Sequence, residues 1–528
     1  MNTTYLLHHL LLSSAERTAE AAALTFGKET WTYARTADAA LRFGTGLASI
    51  GLERGERVAI YLEKRLETAV AAFGTTAAGG AFVPVNPVLK PDQVGYILRN
   101  CNVRVLVTSS ARLLQLRQAL AQCHDLRHVV VTEESPEQPD IDGAVLHLWS
   151  HFTATSGLLP NRIIDTDIAA ILYTSGSTGG PKGVVLSHRN MVAGAKSVAQ
   201  YLENSADDTL LAALPLSFDA GFSQLTTAFH VGARVVLLNY LLPRDVLKTL
   251  VQQEVTGFTA VPPLWIQLAQ LDWPEQIAEH LRYIANTGGR MPHETLTRLR
   301  ERLPRTRPYL MYGLTEAFRA TYLPPDEVDR RPDSIGKAIP NAEVLVLRDD
   351  GSPCAPHEPG ELVQRGALVA QGYWNDPEKT ARHFRPLPAL APGRQPGLIL
   401  EEIAVFSGDT VRYDEDGYLY FIGRRDEMIK TSGYRVSPTE VEEILYATRL
   451  VGECVAFGVT HPSLGQAIAV VATPPAGGDL DVDALLAECR VRMPIYMVPT
   501  HCHMHDGPLP RNPNGKLDRK ALAAQWGD

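Results

Sequence analysis

Most of the chain alternates between apolar runs of strand length and longer stretches whose apolar positions recur every three or four residues. "RVAIYLE" (57–63) is followed by "RLETAVAAFGTTAAGG" (65–80) and "AFVPVN" (81–86), and "NVRVLVTS" (102–109) by "ARLLQLRQALAQC" (111–123). The pairing returns at "ARVVLLN" (233–239) with "RDVLKTLVQQE" (244–254), and at "LRYIANTGG" (281–289) with "HETLTRLRERL" (293–303). Continuous apolar strands alternating with amphipathic helices predict an α/β fold of parallel sheets covered by helices. From Gly351 to Tyr420 the runs shorten and turns crowd in ("GELVQRG", "DGYLYFIG"), which predicts a β-rich subdomain. Beyond about Asp426 the order is helix "SPTEVEEILYAT", strand "VGECVAFGV", strand "AIAVVATP" and helix "DVDALLAECRVRM", a small α+β unit. This divides the chain into a large N-terminal domain, 1–425, and a small C-terminal domain, 426–528. Three Pro- or acid-rich stretches, 133–143, 324–336 and 385–397, read as surface loops.

Composition narrows the classes. A chain of 528 residues exceeds one ordinary core, in keeping with that division. Its 45% apolar and 21% charged residues are those of a soluble globular protein. A net charge of −9, with basic residues scattered among acids, argues against a general nucleic-acid binder. Six widely spaced cysteines without a CxxC pair read as free thiols in a reducing compartment. The start, "MNTTYLLHHLLLSSAERTAEAAA", has no basic leader and reads as an amphipathic helix. No apolar run approaches the ~20 residues that span a bilayer. The expectation is a cytoplasmic protein with no membrane span.

The candidate chemistry starts at "LYTSGSTGGPKGVVLSH" (172–188), a hydroxyl- and glycine-rich hairpin between two apolar strands, with Ser187 placed to cap the next helix. The nucleotide-triphosphatase loop needs Gly before the Lys and Ser or Thr after it, but Pro181 and Gly183 flank Lys182. GxGxxG also fails, because Thr178 stands two residues after Gly176. The loop still offers backbone N–H groups around Gly176 and Gly179, and the hydroxyls of Thr174, Ser175, Ser177 and Thr178, to phosphate oxygens.

The ordered "YTSGSTGGPKG" closely resembles the signature of the adenylate-forming superfamily, which includes acyl-CoA synthetases, luciferases and the adenylation domains of nonribosomal peptide synthetases. Further motifs follow in the family's order: "GTTAAGGAFVPVNP" (74–87), "YGLTEA" (312–317), "GELVQRGALVAQGYWNDPEKTARHF" (360–384), "SGDTVRYDEDGYLYFIGRRDEMIKTSGYRVSPTEVE" (407–442) and "LPRNPNGKLDR" (509–519). The resemblance spans nearly the whole chain. It implies an AMP-forming acid–thiol ligase whose small C-terminal domain is mobile, with ATP and Mg²⁺ as cofactors and CoA or phosphopantetheine as the acyl acceptor.

By the same resemblance, Lys516 bridges the substrate carboxylate and the α-phosphate, Thr315 touches that phosphate and Glu316 holds Mg²⁺. Tyr312, beside Gly313, stacks on adenine; Asp409, supported by Arg424, binds the ribose hydroxyls; Gly288 and Gly289 approach the adenine or the acid. Lys182 belongs to the ATP site without being the catalytic lysine. Asp426 matches the hinge between the two half-reactions, and Gly433 borders the thiol's path.

The acid is read at "LPLSFDAGFSQL" (214–225), where many acyl-CoA synthetases carry an aromatic–His pair and this chain has Phe218-Asp219. That resembles amino-acid-activating domains, whose Asp binds the substrate's α-ammonium. A buried carboxylate is costly unless a cation accompanies it. Arg319, on the pocket wall with Ala320, either neutralises Asp219 or reads an anionic group on the substrate. By the same alignment Ala220, Ser223, Ala285, Thr287 and Met311 line the pocket. An amino acid is the favoured substrate; the alternative is a fatty or aryl acid with CoA as acceptor. Lys516 lies twelve residues from the end with no carrier domain following and no distinct basic site for a CoA phosphate, so a carrier protein in trans is the expected acceptor. "HCHMH" (501–505), with three histidines on one strand face, reads as an ordinary strand rather than a metal site.

Overall fold

The computed structural model describes residues 4–133, 141, 143–154, 157, 159, 162–174, 181–394, 397, 400–425, 427–431, 434–461, 464–513 and 515–526. The predicted strand–helix alternation builds two large sheets. In the first, six strands run parallel in the order Val145–Leu148, His128–Val131, Val103–Thr108, Arg57–Tyr61, Ala81–Pro84, Ile168–Thr174, and Lys182–Ser187 closes the edge antiparallel. The second has nine strands with a parallel centre of Arg307–Tyr312, Tyr283–Asn286, Gly257–Ala260, Thr209–Ala212, Arg234–Leu237 and Ala22–Phe26. These central strands are apolar on both faces because helices cover both.

One helix from each sheet forms the middle layer. Leu66–Ala77 packs on the first sheet and Asp219–Val231 on the second, and they meet where Phe73 stacks on Phe222 with centroids 6.0 Å apart. Nearly every residue of both helices is buried, which is why their sequences lack a polar face. Each fully buried ring in this layer contributes on the order of 1.5–3 kcal/mol. Gly221 allows the second helix to start here: a Cβ at that position would lie 1.9 Å from the Pro215 carbonyl oxygen.

The predicted β-rich subdomain is a five-stranded antiparallel sheet that includes Gly360–Gly366, Ile403–Tyr413 and Leu419–Arg424. The C-terminal unit has its own sheet, with Cys454–His461 and Gly465–Ala472 at its heart, helices Pro438–Ala447 and Val482–Arg492 over it, and a separate core around Val441, Leu445, Ile468 and Leu485.

Two of the expected loops are partly structural. Phe384–Pro386 pairs with Ile403–Tyr413, and Leu387 and Ala391 are buried, so 385–397 is anchored at its start by apolar side chains among its prolines. In 324–336, Ser334 is buried and its hydroxyl donates to the Leu419 carbonyl at 2.8 Å. Most of 133–143 lies outside the described residues. His503 packs on Trp526 at 4.7 Å, a packing role for that strand. No described helix is long and apolar enough to cross a membrane.

Candidate active site

Ligands of parallel α/β sheets bind beyond the C-terminal ends of the strands, and three parallel strands of the nine-stranded sheet, with Gly257–Ala260 between the first and the second, deliver the expected residues there. Thr209–Ala212 leads into the loop carrying Phe218 and the helix that opens at Asp219; Tyr283–Asn286 runs into Thr287, Gly288 and Gly289; Arg307–Tyr312 runs into Gly313, Thr315, Glu316 and Arg319. The antiparallel pair of the β-rich subdomain adds Asp409 and Arg424, direct register partners.

The last contribution comes from the C-terminal unit. Lys516 sits in a turn closed by Gly515 N–H to the Asn512 carbonyl at 2.9 Å, with its own N–H on Asn512 Oδ1 at 3.1 Å. Asn86, at the end of a first-sheet strand, donates to the Pro513 carbonyl and docks this turn on the large domain. Lys516 Nζ lies 5.5 Å from the centre of the Phe218 ring. Gly288 makes room for it: its φ is +77°, and a Cβ there would sit 2.8 Å from Lys516 Cε.

The charged groups form one continuous array. Tyr312 donates its hydroxyl to Asp409 Oδ2, and Arg424 Nε donates to Oδ1 at 3.0 Å. Burial pushes the Asp409 carboxyl up from the ordinary range, with Arg424 and Tyr312 opposing it. Burial holds the Lys516 ammonium below its ordinary value, opposed first by Asp219. Lys182 is likewise lowered, by burial and then by Lys379, with Glu316 opposing. Arg424 lowers both lysines further. Glu316 accepts the Tyr373 hydroxyl at 2.6 Å, and the Lys182 ammonium lies 5.5 Å from the Tyr373 ring centre. Glu316, Tyr373 and Lys182 therefore form one group, Asp409, Tyr312 and Arg424 a second, and Asp219 with Arg319 a third, with Lys516 beside Phe218.

Asp219 and Arg319 are in contact: Arg319 Nη1 donates to Asp219 Oδ2 and to the Phe318 carbonyl, both at 2.8 Å. Their side chains are only 4% and 3% exposed. Of the two roles the sequence left open to Arg319, neutralising Asp219 is the one seen. Phe318 supports it with φ +60°, a rare backbone for a bulky residue, which turns Arg319 inward. Met311 accepts the Tyr201 hydroxyl at 3.0 Å. Ser223 shares a 3.4 Å contact with Thr227. Ala220, Ala285, Thr287 and Ala320 are buried.

Thr174 and Lys182 are the last register partners of the glycine hairpin. Ser175, Gly176, Ser177, Thr178 and Gly179 of that hairpin, and likewise Asp426 and Gly433, lie outside the described residues. Two contributors escaped the sequence reading. Tyr373, inside the quoted "GYWNDPEKT", is the hydroxyl on Glu316, and Gln364 holds the Arg319 carbonyl at 2.8 Å.

The family model described as AMP-binding enzyme matches residues 11–374, and that of the AMP-binding enzyme C-terminal domain matches 440–516. The chain belongs to the AMP-binding enzyme family. Among curated relatives of this AMP-binding enzyme, gramicidin S synthase 2 of Aneurinibacillus migulanus is 29% identical over 98% of the chain, and tyrocidine synthase 3 of Brevibacillus parabrevis is likewise 29% identical over 98%. The chain spans 11% and 8% of those two proteins. Among solved structures, ATP-bound MatB from Rhodopseudomonas palustris superposes with a TM-score of 0.86 at 24% identity, covering 100% of this chain and 99% of that one. The o-succinylbenzoate coenzyme A synthetase MenE of Bacillus subtilis, in complex with ATP and a magnesium ion, gives 0.80 at 25% identity over 97% and 98%.

Proposed function

We propose that this AMP-binding enzyme is an AMP-forming ligase. It joins a carboxylic acid, an amino acid by the fit of Asp219, to the α-phosphate of ATP, and then passes the acyl group to a phosphopantetheine thiol of a carrier protein in trans. The observation that supports this reading is the setting of Lys516: brought by the C-terminal unit, it lies 5.5 Å from the Phe218 ring centre and within electrostatic reach of both Asp219–Arg319 and Asp409–Arg424.

The chemistry needs a cation there. A carboxylate must approach a polyphosphate, and like charges a few Å apart repel by several kcal/mol at intermediate dielectric. Lys516 and Arg424 offset that repulsion where the bond forms, while Asp409 and Tyr312 orient the nucleoside. Burial lowers the proton affinity of Lys516, and arriving anions oppose that lowering. Adenylation turns the acid's oxide into a good leaving group, AMP, and a thiol then displaces it.

Glu316 suits Mg²⁺: a hard carboxylate, oriented by Tyr373, on the phosphate side of the site. Mg²⁺ commonly takes one or two carboxylates and completes its shell with water and phosphate oxygens. Bound there with Thr315 nearby, it supplies neutralisation of the polyphosphate. Lys182 lies at the same end, beside Tyr373. The gramicidin S and tyrocidine synthases among the relatives favour a carrier protein over free CoA. Asp426 as hinge and Gly433 beside the thiol's path complete the proposal for the second half-reaction.

ATP–pyrophosphate exchange across amino, aryl and fatty acids tests this reading. Exchange is expected with an amino acid, and thioester formation with a phosphopantetheinylated carrier. Exchange restricted to fatty or aryl acids, with thioester formed on CoA alone, contradicts the substrate and acceptor; no exchange with any acid contradicts the ligase itself.

A further inference from the structure

The buried pair Asp219–Arg319 is incomplete. Asp219 Oδ1 and Arg319 Nε are both sealed from solvent and neither has a hydrogen-bond partner. An orphaned buried polar atom is costly, more so on a charged group, so a ligand that supplies the missing partners gains by completing the pair. Here one free acceptor on the acid stands beside one free donor on the base. The backbone at Arg319 is fixed on both sides: Phe318 takes φ +60° immediately before it, and Gln364 Nε2 donates to its carbonyl at 2.8 Å.

Charge balance limits what can complete the pair. Lys516 answers the reacting carboxylate. Asp219 and Arg319 cancel each other, so the rest of the acid must bring no net charge to a site that water does not reach. A simple amino acid brings its ammonium alone and leaves an uncompensated positive charge; a plain dicarboxylic acid leaves a negative one. We infer that the preferred substrate is an amino dicarboxylic acid, whose ammonium donates to Asp219 Oδ1 while its second carboxylate accepts from Arg319 Nε. The inference rests on the adenylation reading above and deepens it. Charge-assisted hydrogen bonds on both sides are roughly twice as strong as neutral ones, which favours this zwitterion over an uncharged polar tail. Arg319 thereby becomes a specificity-determining residue that reads charge.

The test is ATP–pyrophosphate exchange by the whole chain with aspartate, 3-methylaspartate and glutamate, against 2-aminobutyrate (no second carboxylate), succinate (no ammonium) and 2-hydroxybenzoate (uncharged tail). The best amino dicarboxylic acid should exceed each of the others by about 100-fold or more in kcat/KM, the scale on which a site rejects a substrate that leaves its polar groups unpaired. Arg319→Met should reverse the order of that acid and 2-aminobutyrate, and Asp219→Asn should raise succinate relative to the amino diacid. Because either change leaves a charge buried, the double variant Asp219→Asn/Arg319→Gln serves as a folded control; it should lose the charge preference and exchange all acids at comparable low rates. A wild-type preference for 2-aminobutyrate, succinate or 2-hydroxybenzoate overturns the inference while leaving the ligase reading intact. So does an Arg319→Met effect equal for every acid. Absence of exchange with all six acids alongside exchange with some other acid overturns the inference alone, and absence with any acid at all removes the ligase reading with it.

Discussion

Two carboxylate–arginine pairs sit within one site and are built differently. Asp409 has both oxygens bonded, one by Tyr312 and one by Arg424, and the Arg424 side chain is 49% exposed. Asp219 has one oxygen bonded and one orphaned, and its Arg319 is sealed. The first pair is complete, with a buried carboxylate and a half-exposed arginine, which suits a group that offers a preset surface to a ligand. The second is unfinished and closed, which suits a group that a particular acid must complete. On the proposed function, recognition of the nucleotide ends with the first pair, and choice of the acid begins with the second.

Stability should separate the pairs most. Removing one partner of a sealed pair costs about 3–5 kcal/mol because it strands a buried charge, so Arg319→Met should lower the denaturation midpoint more than Arg424→Met, which removes a half-exposed arginine and leaves the buried Asp409 still bonded by Tyr312. Equal shifts in urea titrations would erase the contrast. Next in size, Asp409→Asn should weaken AMP binding by about 1.5–3 kcal/mol, the scale of hydrogen bonds to a charged group, as read by titration calorimetry. It should leave the ranking of acids unchanged, and a change in that ranking would merge the two pairs into one.

The pH dependence bears on the same contrast. Burial raises the Asp409 carboxyl and Arg424 opposes the rise, so the acid limb of AMP affinity should lie above the ordinary carboxylate value of about 4. Arg424→Met should move that limb to still higher pH. A folded value above the unfolded one also means that this group's contribution to stability is full below the unfolded value and is lost as pH rises through the folded one. A limb that moves down in Arg424→Met would contradict the assignment. The smallest effect is at the phosphate end: Tyr373→Phe removes one hydrogen bond from Glu316, about 0.5–1.5 kcal/mol. It should raise the Mg²⁺ concentration needed for half-maximal exchange several-fold without touching acid choice.

The motifs made the site residues legible because their order along the chain follows the order of strand ends that deliver them. The apolar runs made the sheets legible for the same reason, since strands buried on both faces have no polar positions to confuse the pattern. What escaped depends on contacts between distant segments. Tyr373 looked like any aromatic in an apolar context, and only its position opposite Glu316 gives the hydroxyl a role. Gln364 reads as a strand residue until the Arg319 carbonyl is placed beside it. The positive φ of Phe318 has no sequence signal at all, because Gly, Asn and Asp mark such positions and phenylalanine does not. Arg319 was visible as a candidate with two roles, and its geometry with Asp219 decided which is present. The apolar residues Leu387 and Ala391 anchored a stretch whose prolines had suggested only a loop.

Both pairs bear on one proposed role, that Lys516, carried by the C-terminal unit, bridges the acid and the α-phosphate. Parallel measurement of ATP binding and ATP–pyrophosphate exchange in Lys516→Ala puts that role to the test. Exchange should fall by about 10²–10³-fold or more, the scale of losing one preorganised charge at a reacting centre, while ATP affinity changes little. Undiminished exchange, or a loss of ATP binding equal to the loss of exchange, would contradict it.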